Sequence, residues 1–221
     1  MELQKRKEKT SMENKIYNHP YFGEIYYLLD IPEKIKDNEK KPLLIFLHGA
    51  GERGADYELL KVQGPPKYLS NGTWTNEKTV TVCPQCPVDV TWVNLTYMLK
   101  DFLEFVIDEY GIDREKIALT GISMGGYGTW EMSMFAPEYF KKIAPICGGG
   151  TPWRTYLINA EIRAFHGDKD TTVPPENSQM MVNAAKANGK DITYTVFPGV
   201  DHNSWDPAYL TTDVLEWLTD L

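Results

Sequence analysis

A pentapeptide in the middle of the chain has the residue types and spacing of a serine nucleophile. Residues 121–125, Gly-Ile-Ser-Met-Gly, follow a short apolar segment typical of a strand and precede a helix-like segment that reaches Ala136. Gly-x-Ser-x-Gly between a strand and a helix is the pattern of a nucleophile elbow, a sharp turn that lifts the hydroxyl of Ser123 above the sheet edge. Glycine-rich turns that contain a serine by chance also match this pattern, so the pentapeptide alone does not exclude a purely structural turn.

A serine nucleophile needs a histidine as its general base, and the sequence has four candidates. His202 lies in the loop after the last predicted strand, and the triad histidine of this elbow type comes last in chain order. His19 precedes the predicted sheet, whereas His48 and His166 directly follow strands, where each could brace an adjacent turn. We therefore predict that His202 is the general base and acid.

The carboxylate that orients the histidine should come from a strand end between Ser123 and His202. Asp168 and Asp170 both follow the same short predicted strand, and their spacing alone does not decide between them. We choose Asp170 because it lies further into the loop, whereas Asp168 is better placed to fix the turn. Asp201 is a weaker candidate because side chains adjacent in sequence seldom adopt the required geometry.

A second glycine-rich turn lies near the start of the chain. The apolar run at residues 42–47 is typical of a strand buried on both faces, and it leads into His-Gly-Ala-Gly-Glu-Arg-Gly at residues 48–54. Such a turn can bring backbone N–H groups close to a ligand. An oxyanion hole requires this property.

Alternating strands and helices must position these groups. We predict strands over residues 24–29, 42–47, 79–83, 116–120, 142–147, 161–165 and 191–197, and helices over 95–110, 124–136, 175–188 and 208–221. This alternation favours an α/β fold with a mainly parallel central sheet, helices on both faces and reactive groups at the carboxyl ends of the strands. We expect a disordered tail over residues 1–15, a single catalytic domain over 16–221 and only a minimal lid.

Composition limits the classes of partner. The net charge of −8 argues against a broad surface for nucleic acid or an anionic membrane, and 42% hydrophobic residues without a membrane-length run predict a soluble protein. Three cysteines do not form a disulfide framework and, with no signal peptide seen, they favour a cytoplasmic protein. Cys83-Pro-Gln-Cys86 has redox or metal spacing but lacks a second pair, so we interpret it as structural and predict no metal site.

The motifs together resemble the α/β-hydrolase superfamily, in particular its phospholipase/carboxylesterase and feruloyl-esterase-like branches, of which some members are labelled predicted peptidases. The resemblance spans nearly the whole predicted domain and rests on residues 48–54, 121–126, 166–174 and the His202 loop. It implies that the second aspartate of Gly-Asp-x-Asp, Asp170, is the triad acid. It also implies an oxyanion hole made by the backbone N–H groups of Ala50 and Met124, and chemistry that requires no cofactor.

The resulting hypothesis is a serine carboxylic-ester hydrolase for a small or medium soluble ester, with an acetyl or feruloyl ester of plant carbohydrate as one source suggested by the resemblance. Aromatic and amide side chains on loops or beyond strand ends could contact the substrate, although pockets and cores use the same residue types and ordinary packing is the more common explanation for each of them. These candidates are Gln85, Trp92, Tyr127, Trp153 and Trp205. A serine peptidase for small peptides is the second hypothesis, and a noncatalytic binding module on a hydrolase fold is the third.

Overall fold

The computed structural model describes residues 12–36 and 39–221, and these contain eight strands and seven α-helices. The strands are β1 (Glu13–His19), β2 (Gly23–Asp30), β3 (Lys41–Leu47), β4 (Val80–Pro84), β5 (Ile112–Ile122), β6 (Lys142–Ile146), β7 (Glu161–Gly167) and β8 (Ile192–Phe197). The helices are α1 (Tyr57–Leu60), α2 (Gly64–Asn71), α3 (Thr96–Tyr110), α4 (Met124–Phe135), α5 (Glu176–Ala187), α6 (Trp205–Thr211) and α7 (Val214–Thr219).

The strands form one mainly parallel sheet in the order β1-β2-β4-β3-β5-β6-β7-β8. The β1–β2 and β2–β4 pairs are antiparallel, whereas the pairs from β4 through β8 are parallel. Residues 43–47 of β3 are all buried, as expected for a central strand covered on both faces. The predicted α/β fold is confirmed, and the carboxyl ends of β3, β5, β6, β7 and β8 meet along one edge.

Helices cover both faces of the sheet and complete two apolar cores. On one face α3, α4 and α5 contribute buried side chains such as Phe102 and Trp130. On the other face α1, α2, α6 and α7 contribute side chains such as Tyr209 and Leu218. No helix in the described ranges is long and apolar enough to cross a membrane.

Two predicted boundaries need correction. The predicted tail extends too far, because residues 13–15 belong to β1 and pair with β2; residues 1–11 lie outside the described residues. The predicted closing helix is two short helices, α6 and α7, because the chain is extended at Thr212, where φ is −118° and ψ is 172°. α6 begins three residues before the predicted start, at Trp205, which brings that side chain under the His202 loop.

Candidate active site

The turn between β5 and α4 holds Ser123 in a strained conformation. Its φ of 53° and ψ of −117° lie in a region that non-glycine residues rarely adopt. A Cβ on Gly125 would lie 1.9 Å from the carbonyl oxygen of Leu47, and a Cβ on Gly121 would lie 2.3 Å from the carbonyl oxygen of Gly125. Both flanking positions therefore require glycine. The turn is held from the neighbouring strand, where the carbonyl of Ile146 accepts the Ser123 N–H at 3.0 Å.

Ser123, His202 and Asp170 form a continuous hydrogen-bonded line. His202 Nε2 lies 2.9 Å from Ser123 Oγ, and His202 Nδ1 lies 2.8 Å from Asp170 Oδ2. A carboxylate only accepts, so Nδ1 carries the proton and Nε2 is free to accept the serine proton. The side chain of Asp170 is fully buried, whereas that of His202 is 21% exposed. The structure thus brings the three residues into the geometry of nucleophile, base and orienting acid.

The carboxyl of Asp170 stays ionised despite its burial. Burial alone would raise its pKa. Hydrogen bonds from His202 and from the backbone N–H groups of Val173 and Thr172, together with the charge interaction with His202, outweigh burial. The pKa is consequently lower than its ordinary value. A carboxylate held in this way can stabilise a positive charge that forms on His202 during a reaction.

The two other aspartates near the triad hold its loops together. Asp168 Oδ1 accepts the backbone N–H of Gly199 at 2.6 Å, and Asp201 Oδ1 accepts the backbone N–H of His202 at 2.8 Å. At Gly167 an added Cβ would lie 2.2 Å from a backbone oxygen of the loop after β8. The loops after β7 and β8 are therefore in close contact, and this contact carries His202 to Asp170.

On the other side of the nucleophile, a buried histidine fixes the turn after β3. His48 Nε2 accepts the backbone N–H of Cys86 at 2.9 Å, so the proton is on Nδ1, which lies 2.6 Å from the carbonyl oxygen of Gly49 and donates to it. Burial lowers the pKa of His48 to about 4, so the ring is neutral at ordinary pH. The Gly49 carbonyl and the Ala50 N–H belong to one peptide unit. The His48 ring therefore fixes the direction of the Ala50 N–H.

Two backbone N–H groups predicted to form an oxyanion hole begin helices at this edge. Met124 is the first residue of α4, and Ala50 is the first residue of the 3-10 helix Ala50–Glu52. N–H groups at a helix start have no acceptor within the helix. A Cβ on Gly49 would lie only 3.8 Å from the Cβ of Ser123, so the turn packs against the nucleophile.

Gln85 and Trp92, predicted as possible substrate contacts, lie buried beneath the turn after β3. The Gln85 amide nitrogen donates to the backbone oxygens of Glu52 and Asp56, and its oxygen accepts the Asp56 N–H. The Trp92 indole N–H donates to the carbonyl oxygen of His48 at 2.9 Å. The two side chains therefore support the turn and do not make the predicted substrate contacts. The backbone groups of the turn need hydrogen-bond partners because they are buried.

The other three predicted contacts lie in different surroundings. The Trp205 ring packs edge-on to His202, with centroids 5.4 Å apart, and its indole N–H donates to Gln63 Oε1. Tyr127 is half-buried, and its pKa is raised first by burial and then by the charge on Asp170. The side chain of Trp153 is largely solvent-exposed, in the 3-10 helix Pro152–Leu157. Only Tyr127 and Trp205 are thereby tied to the triad by a contact or a charge.

All three cysteines are free and buried. Ligand-capable atoms of Cys147, Asp170 and His202 lie within 4.8 Å of one another, which is close enough for a shared metal ion. However, Asp170 and His202 hydrogen-bond to each other, and burial raises the pKa of the Cys147 thiol to about 12. A metal ion at this place would therefore have to replace the Asp170–His202 hydrogen bond and displace the thiol proton of Cys147.

His166 also contacts the triad, a role that the sequence analysis did not assign. It is fully buried, and its Nε2 lies 3.1 Å from Asp170 Oδ2. The sequence signal is its position at the end of β7, four residues before Asp170. That spacing is also compatible with a histidine that only braces the turn, so the contact becomes visible only in the folded chain.

Comparisons with known proteins find hydrolases with a similar fold. A family model described as the prolyl oligopeptidase family matches residues 151–221. The crystal structure of a thermostable esterase is 32% identical, with a TM-score of 0.82, over 95% of this chain and 63% of that chain, so this chain spans less than two thirds of that esterase. Curated protein sequences include no significant match.

Two more distant structures share the fold. A feruloyl esterase module from Clostridium thermocellum, complexed with sinapinate, is 18% identical with a TM-score of 0.70 over 95% of this chain and 85% of that chain. An acylaminoacyl peptidase from Pyrococcus horikoshii is 17% identical with a TM-score of 0.72 over 96% of this chain and 43% of that chain. With its sheet order, its strained serine elbow and these matches, the chain belongs to the α/β-hydrolase superfamily.

Proposed function

We propose that this chain is a serine carboxylic-ester hydrolase that works through a covalent acyl-enzyme. The observation that carries the proposal is the hydrogen-bonded line from Ser123 through His202 to the buried carboxylate of Asp170. The 32% identity to a thermostable esterase supports an ester as substrate.

Acylation begins when Ser123 Oγ attacks the ester carbonyl carbon. His202 Nε2 takes the hydroxyl proton as the new C–O bond forms, and Asp170 stabilises the resulting imidazolium. The carbonyl oxygen becomes an oxyanion, which accepts hydrogen bonds from the backbone N–H groups of Ala50 and Met124. The tetrahedral intermediate then collapses, and His202 gives its proton to the leaving alcohol.

Deacylation repeats these steps with water in place of the serine. His202 removes a proton from the water, which attacks the acyl carbon of the ester formed with Ser123. Collapse of the second intermediate releases the carboxylic acid and returns the proton to Ser123 Oγ. Close backbone packing around Gly121 and Gly125 supports the strained turn that presents Ser123 Oγ.

A small or medium soluble ester fits the surroundings of the triad best. The segment between β6 and β7 is short, and its described structure is the single 3-10 helix Pro152–Leu157, which is too small for the large lid of an enzyme acting at an oil interface. Acetyl or feruloyl esters of plant carbohydrate are candidate substrates. The shared fold with a feruloyl esterase module supports testing them first.

A peptidase for small peptides is the second candidate. It is favoured by the family model that matches residues 151–221 and by the fold shared with an acylaminoacyl peptidase. Ester and amide hydrolysis pass through the same kind of tetrahedral intermediate, so the triad serves either substrate. The two candidates differ in the leaving group that His202 must protonate.

The test is a substrate panel applied to the intact chain, Ser123→Ala and Ser133→Ala. The panel contains short-acyl, long-acyl and hydroxycinnamoyl esters together with acylaminoacyl and dipeptidyl amides. Ser133 is a matched control because it is a buried serine of α4, the helix that follows Ser123, and its hydroxyl donates to the Trp130 carbonyl. We expect ester turnover that Ser123→Ala abolishes and Ser133→Ala retains.

Other results would change the proposal in defined ways. Faster turnover of amides than of esters would favour the peptidase. Turnover that survives Ser123→Ala would contradict the mechanism, and no turnover of any substrate by the intact chain would favour a binding protein.

A further inference from the structure

The triad acid is shared by two histidines. Asp170 Oδ2 lies 2.8 Å from His202 Nδ1 and 3.1 Å from His166 Nε2, while Oδ1 accepts the backbone N–H groups of Thr172 and Val173, both at 2.9 Å. The side chains of Asp170 and His166 are both fully buried. The charge of this carboxylate is therefore balanced within the protein and not by water.

The Nε2 atom of His166 faces only acceptors among its hydrogen-bond partners. Besides the Asp170 carboxylate, it lies 2.9 Å from the carbonyl oxygen of Val173. Neither partner can donate a hydrogen, so Nε2 has to carry one.

The Nδ1 atom of His166 has to carry a hydrogen as well. It lies 2.7 Å from Ser178 Oγ, and Ser178 Oγ lies 2.7 Å from the carbonyl oxygen of Gly148. A carbonyl only accepts, so the single hydroxyl hydrogen of Ser178 goes to Gly148. Ser178 can then only accept from His166, because the alternative leaves two oxygen atoms in contact without a hydrogen between them.

We propose that His166 is a resident imidazolium, a positively charged positioning residue that forms a buried ion pair with the triad acid. The pair satisfies the condition under which buried charges persist, since each ring N–H and each carboxylate oxygen has a hydrogen-bond partner. The charge assignment follows from hydrogen bonds alone. Its kinetic consequence rests on the proposed function.

The consequence concerns the proton that His202 accepts. In a simple triad the acid favours the protonated form of the base, whereas here the charge of His166 offsets part of that attraction. Removing the charge of His166 should therefore strengthen the attraction between Asp170 and a protonated His202. The other titratable groups that the structure places near the pair are Tyr127 from α4 and Cys147 after β6, and both are neutral because burial raises their pKa values.

The first test measures the ring protons directly. Long-range proton–nitrogen NMR of the full ¹⁵N-labelled chain at about pH 8 distinguishes a neutral imidazole from an imidazolium, and His166→Asn assigns the signal. We expect both nitrogens of His166 to be protonated. His48 is the internal control, since its neutral ring should show one protonated and one bare nitrogen. A neutral pattern for His166 would overturn the proposal.

The second test is the pH profile of kcat/KM for His166→Asn. Loss of the charge should shift the acid limb of the profile to higher pH by about one unit. At a pH below the wild-type acid limb, kcat/KM should therefore be about tenfold lower in the variant. The plateau at high pH should be largely retained. A folded variant with lower activity but an unmoved acid limb would overturn the kinetic part and leave His166 a structural residue. If the intact chain turns over no ester at all, the proposed function fails, while the NMR test of the charge still stands.

Discussion

His48 and His166 are both buried histidines at the carboxyl end of a parallel strand, and yet they hold different charges. His48 follows β3, which neighbours β5, whereas His166 lies in β7, which β6 separates from β5. His48 hydrogen-bonds to one donor, the N–H of Cys86, and one acceptor, the carbonyl of Gly49. The Glu52 carboxyl lies 3.8 Å from its Nδ1, and burial keeps the ring neutral. His166 faces acceptors at both nitrogens.

The difference shows that burial alone does not decide the charge of a strand-end histidine. Burial favours the neutral ring at His48, whereas the acceptors around both nitrogens of His166 favour the charged ring. A neutral ring is sufficient beside the predicted oxyanion hole, because His48 only has to hold the Gly49–Ala50 peptide unit in one orientation. A charged ring suits the acid side, where a carboxylate has to be balanced without water. The two sides of the nucleophile should therefore respond differently to substitution and to pH.

The largest expected effect is on the acid side. Asp170→Asn should lower kcat by about 10⁴-fold, because the amide N–H₂ opposite Nδ1 favours the His202 tautomer that cannot accept the serine proton. Asp168→Asn is the matched control from the same loop and should retain most of the activity. Asp168 Oδ1 accepts a backbone N–H of the neighbouring loop and its Oδ2 lies 4.0 Å from Lys169 Nζ, and neither partner belongs to the triad. An equal fall in kcat for the two variants would contradict the assignment of Asp170 as the triad acid.

On the oxyanion side the expected loss is smaller. His48→Ala removes the donor to the Gly49 carbonyl and should lower kcat by about 10²-fold, near the effect of losing one oxyanion-hole donor. His19→Ala serves as the control, since His19 is buried in the β1–β2 hairpin and pairs with Asp101 away from the triad. Steady-state kinetics and thermal unfolding of both variants would distinguish a loss of catalysis from a loss of stability. A similar fall in kcat for both variants would show that loss of stability, and not the orientation of Ala50, is responsible.

The neutral state of His48 should also affect how the folding stability depends on pH. The pKa of His48 falls from 6.5 in the unfolded chain to about 4 in the folded chain, so between these values the unfolded chain binds more protons. Folding stability is thus unaffected above about pH 6.5 and is lost as the pH falls towards 4, by about 3 kcal/mol in total.

Urea unfolding of the intact chain and of His48→Gln across this range checks the loss. Burial raises the pKa of Asp30 to about 6, which gives a slope of opposite sign, but this slope is common to both proteins and cancels in the difference. A difference between the two proteins that does not change with pH would contradict a neutral His48.

The smallest effect is expected where packing alone supports the base. Trp205→Phe keeps an aromatic ring against His202 but loses the hydrogen bond to Gln63, so stability should fall by about 1 kcal/mol. We expect kcat to change by less than about tenfold, measured beside the intact chain on the preferred ester. A loss as large as that of His48→Ala would place Trp205 among the residues that position the reacting groups.

Local sequence patterns determined the order of the elements and the position of the elbow. Gly121 and Gly125 were readable because their backbone neighbours leave no room for a Cβ, and a requirement of this kind leaves a local signature. Chain order likewise indicated His202 as the base. By contrast, β1 was missed because its side chains are mostly exposed and lack a clear apolar alternation.

Only the tertiary structure decided which partners each side chain has. Asp168 and Asp170 are alike in sequence, and the contact between the loops after β7 and β8 separates a loop brace from the acid that meets His202. The same holds for Trp92, which is a support under the His48 turn and not a pocket wall. The partners of His202 and Trp92 are distant in sequence, so no local pattern encodes them. Those of His166 are nearer along the chain, but the Gly148 carbonyl that accepts the Ser178 hydrogen comes from the loop after β6 and meets them only when the sheet has formed.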